Sequence, residues 1–172
     1  MLVVHRRGPQ TRGPGGRSHV ARVGNFRWAP VLPIMRDMSS QGRAELPPPR
    51  VLVVEDDAPA REALVELLAV VGFEVVGEVE DGGDVEEAVA RLRPDVVLLD
   101  AKIPTVPGVE VTRRIRRGGS GANVVFLSAY DDDRLRGDAL AAGAVAYLVK
   151  GCPPEEIEAA ILRAAGRGAP SG

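Results

Sequence analysis

Residues 50–166 of this chain predict a doubly wound α/β domain built on a five-stranded parallel sheet. Three observations lead there. Short β-branched runs alternate with helical periods, five times over. The runs Val51–Val54 and Val96–Leu99 are apolar at every position, as strands covered on both faces must be. Strands that alternate with helices pair in parallel through right-handed crossovers, which brings all their carboxyl ends to one edge.

The elements follow in order. Strands are expected at 51–54, 73–79, 95–99, 123–127 and 145–149. Between the first two, Leu64, Leu67, Leu68 and Val71 repeat at helical spacing, with Asp57 near the N-cap, Pro59 in the first turn and Gly72 as the stop. Val85, Ala88, Val89 and Leu92 form the second helical stripe, closed by Pro94. The third helix, over 108–117, rests on Val111 and Ile115. The fourth, over 131–142, rests on Leu135, Ala139 and Ala142, and Asp131-Asp132-Asp133 is expected to complement its N-terminal dipole. Ile157, Ala160, Ile161 and Ala164 define the fifth, ended by Gly166.

Composition divides the chain. The 172 residues suffice for one domain plus a tail, and 45% hydrophobic content with only 3% aromatics requires a core of Val, Leu, Ile and Ala. The net charge of −2 hides a split. Residues 1–49 carry eight Arg against Asp37 and Glu45, which is +6, and the remainder carries 14 basic and 22 acidic residues, which is −8. The first segment is rich in Arg, Gly and Pro, has no period and closes on Pro47-Pro48-Pro49, so it is expected to be disordered. A start codon placed too far upstream would account for it equally, since Met35 and Met38 lie just before the folded part. A basic nucleic-acid arm using Phe26 and Trp28 is the less favoured account. Residues 167–172 are read as a flexible tail.

A single cysteine, Cys152, excludes an intramolecular disulfide and a cysteine-based zinc cluster, and is expected to be a small packing residue rather than a redox sensor. No apolar run approaches the ~20 residues needed to span a bilayer. The stretch Ala29-Pro-Val-Leu-Pro-Ile-Met35 is broken by two prolines and makes a poor signal peptide. A cytoplasmic protein is expected.

Four apolar runs end in residues of particular chemical interest. Val54 is followed by Glu55-Asp56-Asp57, Leu99 by Asp100, Leu127 by Ser128 and Val149 by Lys150. Ligands of open α/β sheets sit beyond the strands' carboxyl ends. Glu55, Asp56 and Asp100 would lie close enough to raise one another's pKa unless a cation intervenes. A hard, oxygen-seeking ion such as Mg²⁺ meets that need, together with a phosphoryl group. Lys150 is one of only two lysines in a chain with 20 arginines, which suggests a compact, movable point charge rather than a planar fork. It could pair with Asp100 and then with a phosphoryl oxygen, to which Ser128 could also donate.

The chain here resembles the receiver domains of two-component response regulators, over residues 50 to 166. Val-Leu-Val-Val-Glu55-Asp56-Asp57 looks like that family's acidic pocket. Asp95-Val-Val-Leu-Leu-Asp100-Ala-Lys-Ile-Pro104 with Gly108 looks like its phosphoacceptor strand and loop. Phe126-Leu-Ser128-Ala is similar to its hydroxyl position, and Ala146-Tyr147-Leu-Val-Lys150 to its switch aromatic and lysine. The resemblance implies a flavodoxin-like sheet of strand order 2-1-3-4-5. It implies that Asp100 accepts a phosphoryl group from a phosphohistidine, and that Glu55, Asp56, Asp100 and the backbone at Ala101-Lys102, through the Lys102 carbonyl, hold Mg²⁺. Ser128 and Lys150 would reorganise around the phosphoryl group, and Tyr147 would turn inward to reshape the face made by helix 4, strand 5 and helix 5. Lys102 and Tyr130 would tune loss of the phosphoryl group to water. Departing from many relatives, Gly151 rather than proline follows the lysine.

The expected partners are a sensor histidine kinase or histidine phosphotransfer protein upstream and a protein target downstream. Neither membrane nor direct nucleic-acid binding is expected, and the chain should be a monomer or weak dimer. A stand-alone receiver leads. The alternatives are a phosphorelay intermediate and the receiver part of a DNA-binding regulator whose output domain is absent. The chain is expected to catalyse only its own phosphorylation and dephosphorylation. An aspartate-nucleophile phosphatase would need a second Asp where Lys102 stands, and a nucleotide- or flavin-binding domain would need a Gly-rich loop where Glu55-Asp56-Asp57 would repel phosphate.

Overall fold

The apolar runs form the strands. In the computed structural model, which describes residues 46–167, these are β1 (Arg50–Val54), β2 (Glu74–Val79), β3 (Val96–Asp100), β4 (Asn123–Ser128) and β5 (Ala146–Val149). They make one parallel sheet in the order β2-β1-β3-β4-β5. Helices α1 (Ala58–Val70), α2 (Val85–Leu92), α3 (Gly108–Arg117), α4 (Asp133–Ala142) and α5 (Pro154–Ala164) follow the strands in turn. This is the doubly wound, flavodoxin-like arrangement the sequence predicts. The expectations for residues 1–45 and 168–172 lie outside the described residues.

Alternation within each strand divides the core into two layers. Leu52, Val54, Val97, Leu99, Val124 and Phe126 face one way, under the apolar stripes of α2, α3 and α4. Val51, Val53, Val96, Leu98, Val125 and Leu127 face the other way, against Leu68 of α1 and Ile157, Ala160 and Ile161 of α5. Each such side chain contributes about 1.5–3 kcal/mol on burial. Both faces of the three central strands are therefore dry, and only their ends can carry chemistry.

Helix termini follow local chemistry. Asp57 caps α1 by accepting from the Ala60 amide at 2.9 Å, and Gly72, at φ +88°, reverses the chain after it. Asp132 caps α4, accepting from the amides of Arg134 and Leu135. The acidic triplet thus divides: Asp132 is the cap, Asp133 opens the helix, and Asp131 lies outside it, paired with Arg136. The expected start of α4 at residue 131 is two residues early for this reason. Tyr147 of β5 is buried, in the core layer under α2, α3 and α4.

A 3-10 turn at Gly82–Asp84, which no periodicity signals, follows β2. Asp81 organises it, accepting from the Gly83 amide at 2.7 Å and from the Thr105 hydroxyl at 2.5 Å. The loop after β2 is thereby tied to the loop after β3. Thr105 pays a backbone penalty for this, with φ at +64°.

Gly108, at the start of α3, sits directly behind the end of β3. A Cβ there would lie 2.8 Å from the Asp100 carbonyl oxygen and 3.0 Å from the Phe126 ring. Gly108→Ala should therefore destabilise the domain by about 1–3 kcal/mol, read as a lower midpoint of urea unfolding. An unchanged midpoint would show that the contact is not as tight as described.

Candidate functional site

Three strand ends deliver the carboxylates and the ammonium to one place. The ladder between β1 and β2 continues one residue past β1, where the Glu55 amide donates to the Val79 carbonyl at 3.0 Å. Glu55 is thus fixed by the sheet, and only 1% of it is exposed. Asp56, next in the chain, is exposed. Asp100 ends β3 and is buried. One carboxylate oxygen from each of these three acids lies within 4.8 Å of the others. Lys150 is carried in just after β5, its amide donating to the Ser128 carbonyl at 2.7 Å.

The ammonium bridges two of the acids. Lys150 Nζ donates to Glu55 Oε2 at 2.6 Å and to Asp100 Oδ2 at 2.8 Å. The bond to Asp100 matches expectation; the bond to Glu55 does not follow from sequence. Burial pushes the Glu55 carboxyl above the usual range, aided by the neighbouring charge of Asp100 and opposed by Lys150. Burial would lower the Lys150 ammonium, but its hydrogen bonds to Asp100 and Glu55 outweigh that and hold it above the ordinary lysine value. Lys150 therefore stays charged, and this one ammonium faces a cluster of three carboxyl groups. All the donors are hard carboxylate oxygens, so Glu55, Asp56 and Asp100 fit a divalent ion such as Mg²⁺.

The other expected residues surround this cluster. Asp100 Oδ1 accepts from the Lys102 amide at 3.1 Å, so both carboxylate oxygens of Asp100 have partners. Ser128 ends β4 beside Asp100, since Asp100 is in register with Leu127. Its hydroxyl oxygen accepts from the Tyr130 amide at 3.2 Å. Tyr147 stacks on Phe126 at 5.9 Å, and its hydroxyl donates to the Tyr130 carbonyl at 2.8 Å. The Tyr130 backbone is thus held from both sides, by Ser128 and by Tyr147. The Tyr130 ring is exposed, with the Lys102 ammonium 4.8 Å from its centroid, so these two residues from different loops meet. Arg136 stacks over the Tyr147 ring at 4.9 Å. Cys152 is half-buried against the layer under α1 and α5, in keeping with a packing residue, and burial raises its thiol pKa.

One residue at this edge escaped the sequence reading. Arg61 in α1 is buried, and its guanidinium donates to the Glu55 carbonyl, to Glu78 and to Glu80. A signal existed: positions 61, 64 and 68 fall on the inward stripe of α1, where a cation is out of place.

The family described as "Response regulator receiver domain" matches residues 51–162. Response regulator GacA of Pseudomonas aeruginosa is 36% identical over 113 residues, covering 65% of this chain and 53% of that protein. The chain thus spans about half the length of the curated relatives it matches. Among solved structures, a two-component response regulator of the LuxR family from Aurantimonas is 30% identical, with a TM-score of 0.65, covering 71% of this chain and 89% of that one. The BeF3-activated N-terminal receiver domain of RstA from Klebsiella pneumoniae is also 30% identical, with a TM-score of 0.63, covering 67% of this chain and 97% of that one. Among the described residues, no helix is long and apolar enough to cross a membrane.

Lys150→Met would leave Glu55 and Asp100 facing each other without a cation. It should lower stability by about 1.5–3 kcal/mol, the usual worth of hydrogen bonds to charged groups. Added Mg²⁺ should then raise the melting temperature of Lys150→Met more than that of wild type, because the ion replaces the missing charge. Equal gains in both proteins would count against the electrostatic account.

Proposed function

The chain belongs to the response regulator receiver domain family, and we propose that Asp100 is its phosphoacceptor. The observation that carries this reading is the Lys150 ammonium, held between Glu55 and Asp100 at the carboxyl edge of the sheet. It pairs with Asp100 before transfer and stands ready for the charge that arrives. A carboxylate oxygen of Asp100 attacks phosphorus, the bond from phosphorus to the histidine nitrogen of the donor breaks, and the imidazole leaves to be protonated from solvent. The product is an acyl phosphate on Asp100. Glu55, Asp56 and Asp100, with the Lys102 backbone carbonyl, are the groups that would hold Mg²⁺. When bound, the ion supplies charge neutralisation for the transferred oxygens.

Transfer replaces one carboxylate charge with roughly −1.5 to −2 on the phosphoryl group. The Lys150–Asp100 bond must then give way to one with a phosphoryl oxygen. If the Ser128 side chain rotates to donate to that group, its oxygen moves away from the Tyr130 amide that now donates to it. Because the Tyr130 carbonyl accepts from the Tyr147 hydroxyl, the change reaches β5 and the surface beside α4 and α5. Tyr147 is thus the proposed switch residue. Lys102 and Tyr130, stacked at the mouth of the site, are proposed to govern access of water to the acyl phosphate.

The chemistry ends on the protein itself, so the chain acts as a phosphorylated signal and not as a turnover enzyme. Its proposed donor is a sensor histidine kinase or histidine phosphotransfer protein, and its proposed output is binding to a protein target. A second reading of the output is a DNA-binding domain working with this receiver, favoured by the half of the curated relatives that the match leaves uncovered and by the likeness to a solved DNA-binding response regulator of the LuxR family.

Incubation of the full chain with Mg²⁺ and acetyl phosphate should give one slow band on a phosphate-affinity gel for wild type and none for Asp100→Asn. Lys150→Met should be labelled about a hundredfold more slowly, as expected for loss of one preorganised donor. Shifts in both wild type and Asp100→Asn, or in neither, would refute the assignment of Asp100.

A further inference from the structure

Arg61 is the one buried cation in the domain that the chemistry above does not use. It lies in the first turns of α1, only 8% exposed, and its guanidinium reaches three acceptors. Nη2 donates to Glu80 Oε1 at 2.7 Å, Nε to Glu78 Oε2 at 3.2 Å, and Nη1 to the Glu55 backbone carbonyl at 2.8 Å. Two accounts compete. In one, Arg61 is a staple that joins α1 to β2. In the other, its task is at Glu55.

The surroundings of the three bonds separate these accounts. The side chains of Glu78 and Glu80 are 36% and 63% exposed, so solvent screens both pairs and they hold α1 to β2 only weakly. The bond to the Glu55 carbonyl is the buried one. A buried carbonyl without a donor is costly, and no other donor to this oxygen is found among the described residues. That carbonyl belongs to the peptide unit joining Glu55 to Asp56, two of the three carboxylates in the cluster. Holding it sets the plane of that peptide and therefore the direction in which both side chains leave the backbone. Within the turn the Asp57 amide donates to Glu55 Oε1 at a long 3.4 Å, and the other backbone restraints come from its two flanks. The Glu55 amide is paired with Val79, and the Asp57 carbonyl accepts from the Arg61 amide at 2.9 Å. Arg61 thus grips the turn twice, once through its backbone and once through its side chain.

We propose that Arg61 is a positioning residue: its guanidinium, through the Glu55 carbonyl, fixes the Glu55–Asp56 peptide and so aims two carboxylates at the cation and phosphoryl site. The inference rests on the reading of that site given above. Its role is geometric, since Glu78 and Glu80 already offset the guanidinium charge. A planar fork suits it, because three fixed acceptors lie around one group.

The test uses the full chain and Mg²⁺ alone as the probe, titrated by calorimetry, with the amide resonance of Asp56 followed in parallel. Arg61→Met keeps the apolar stem and removes the fork. It should weaken Mg²⁺ binding about tenfold, the low end for loss of a partner that orients a ligand, and shift the Asp56 amide in the metal-free protein. Glu78→Gln combined with Glu80→Gln removes the exposed pairs and the charge they offset but keeps the carbonyl bond, and should weaken Mg²⁺ binding less than Arg61→Met and leave the Asp56 amide of the metal-free protein in its wild-type position. Ile161→Ala, in the core under α5, should lose stability and keep its Mg²⁺ affinity. Should Arg61→Met fail to fold, Arg61→Lys, which keeps the charge but loses the fork, should still bind Mg²⁺ more weakly. Wild-type affinity in a folded Arg61 variant would overturn the proposal, as would an equal loss of affinity in Ile161→Ala. Acetyl phosphate labelling of the same proteins keeps the two readings apart. An unlabelled wild type would refute the phosphoacceptor assignment, while the Mg²⁺ titrations would still decide the role of Arg61.

Discussion

One ammonium between two buried carboxylates is the constraint around which this domain is arranged. Lys150 reaches Glu55 and Asp100 from a strand at the far edge of the sheet, so β1, β3 and β5 must all end at the same height. The parallel register that achieves this leaves no freedom at the site: Asp100 ends β3 opposite Leu127, and the Lys150 amide is paired with the Ser128 carbonyl. The price is concentrated negative charge in a dry place. Burial raises the Glu55 carboxyl pKa, and Lys150 relieves only part of the repulsion. An acidic cluster of this kind suits the proposed cation, because a bound cation would relieve repulsion that folding built in.

Much of this was legible from sequence, for a physical reason. Strands covered on both faces must be apolar throughout, so Val96–Leu99 and Val51–Val54 declare themselves, and the first polar residue after each is forced to the edge. Asp100, Ser128 and Lys150 are visible on that ground alone. Helix stripes were equally plain where apolar residues are large, as at Leu64, Leu67 and Leu68. The weaker stripe of α4, built on Ala139 and Ala142, still gave its position, but its start depended on which of three consecutive aspartates takes the cap. Asp132 does so, because its side chain can accept from two amides at once.

What sequence did not reveal depends on contacts between distant loops. The tie from Asp81 to Thr105 joins residues that no periodicity relates, and the 3-10 turn at Gly82–Asp84 exists because Gly82 fits beneath the Pro104 and Val106 carbonyls. Lys102 and Tyr130 lie in different loops, and only the fold brings the ammonium over the ring. The second partner of Lys150, Glu55, was hidden differently. Its position was evident, but the direction of its side chain depends on a peptide plane that local sequence does not encode.

The two cations at this edge differ in a way that follows from their tasks. The guanidinium of Arg61 meets three acceptors that have no reason to move: a main-chain carbonyl and two glutamates on neighbouring strand β2 and its following loop. A rigid planar donor set matches fixed acceptors and resists exchange. Lys150 meets two carboxylates, one of which is the proposed nucleophile, so its bond to Asp100 must be broken and remade with each cycle. A flexible stem ending in three equivalent donors permits that exchange without moving the backbone. In a chain that otherwise uses arginine almost throughout, lysine stands where the proposed chemistry changes the partner, and arginine stands where the acceptors stay the same.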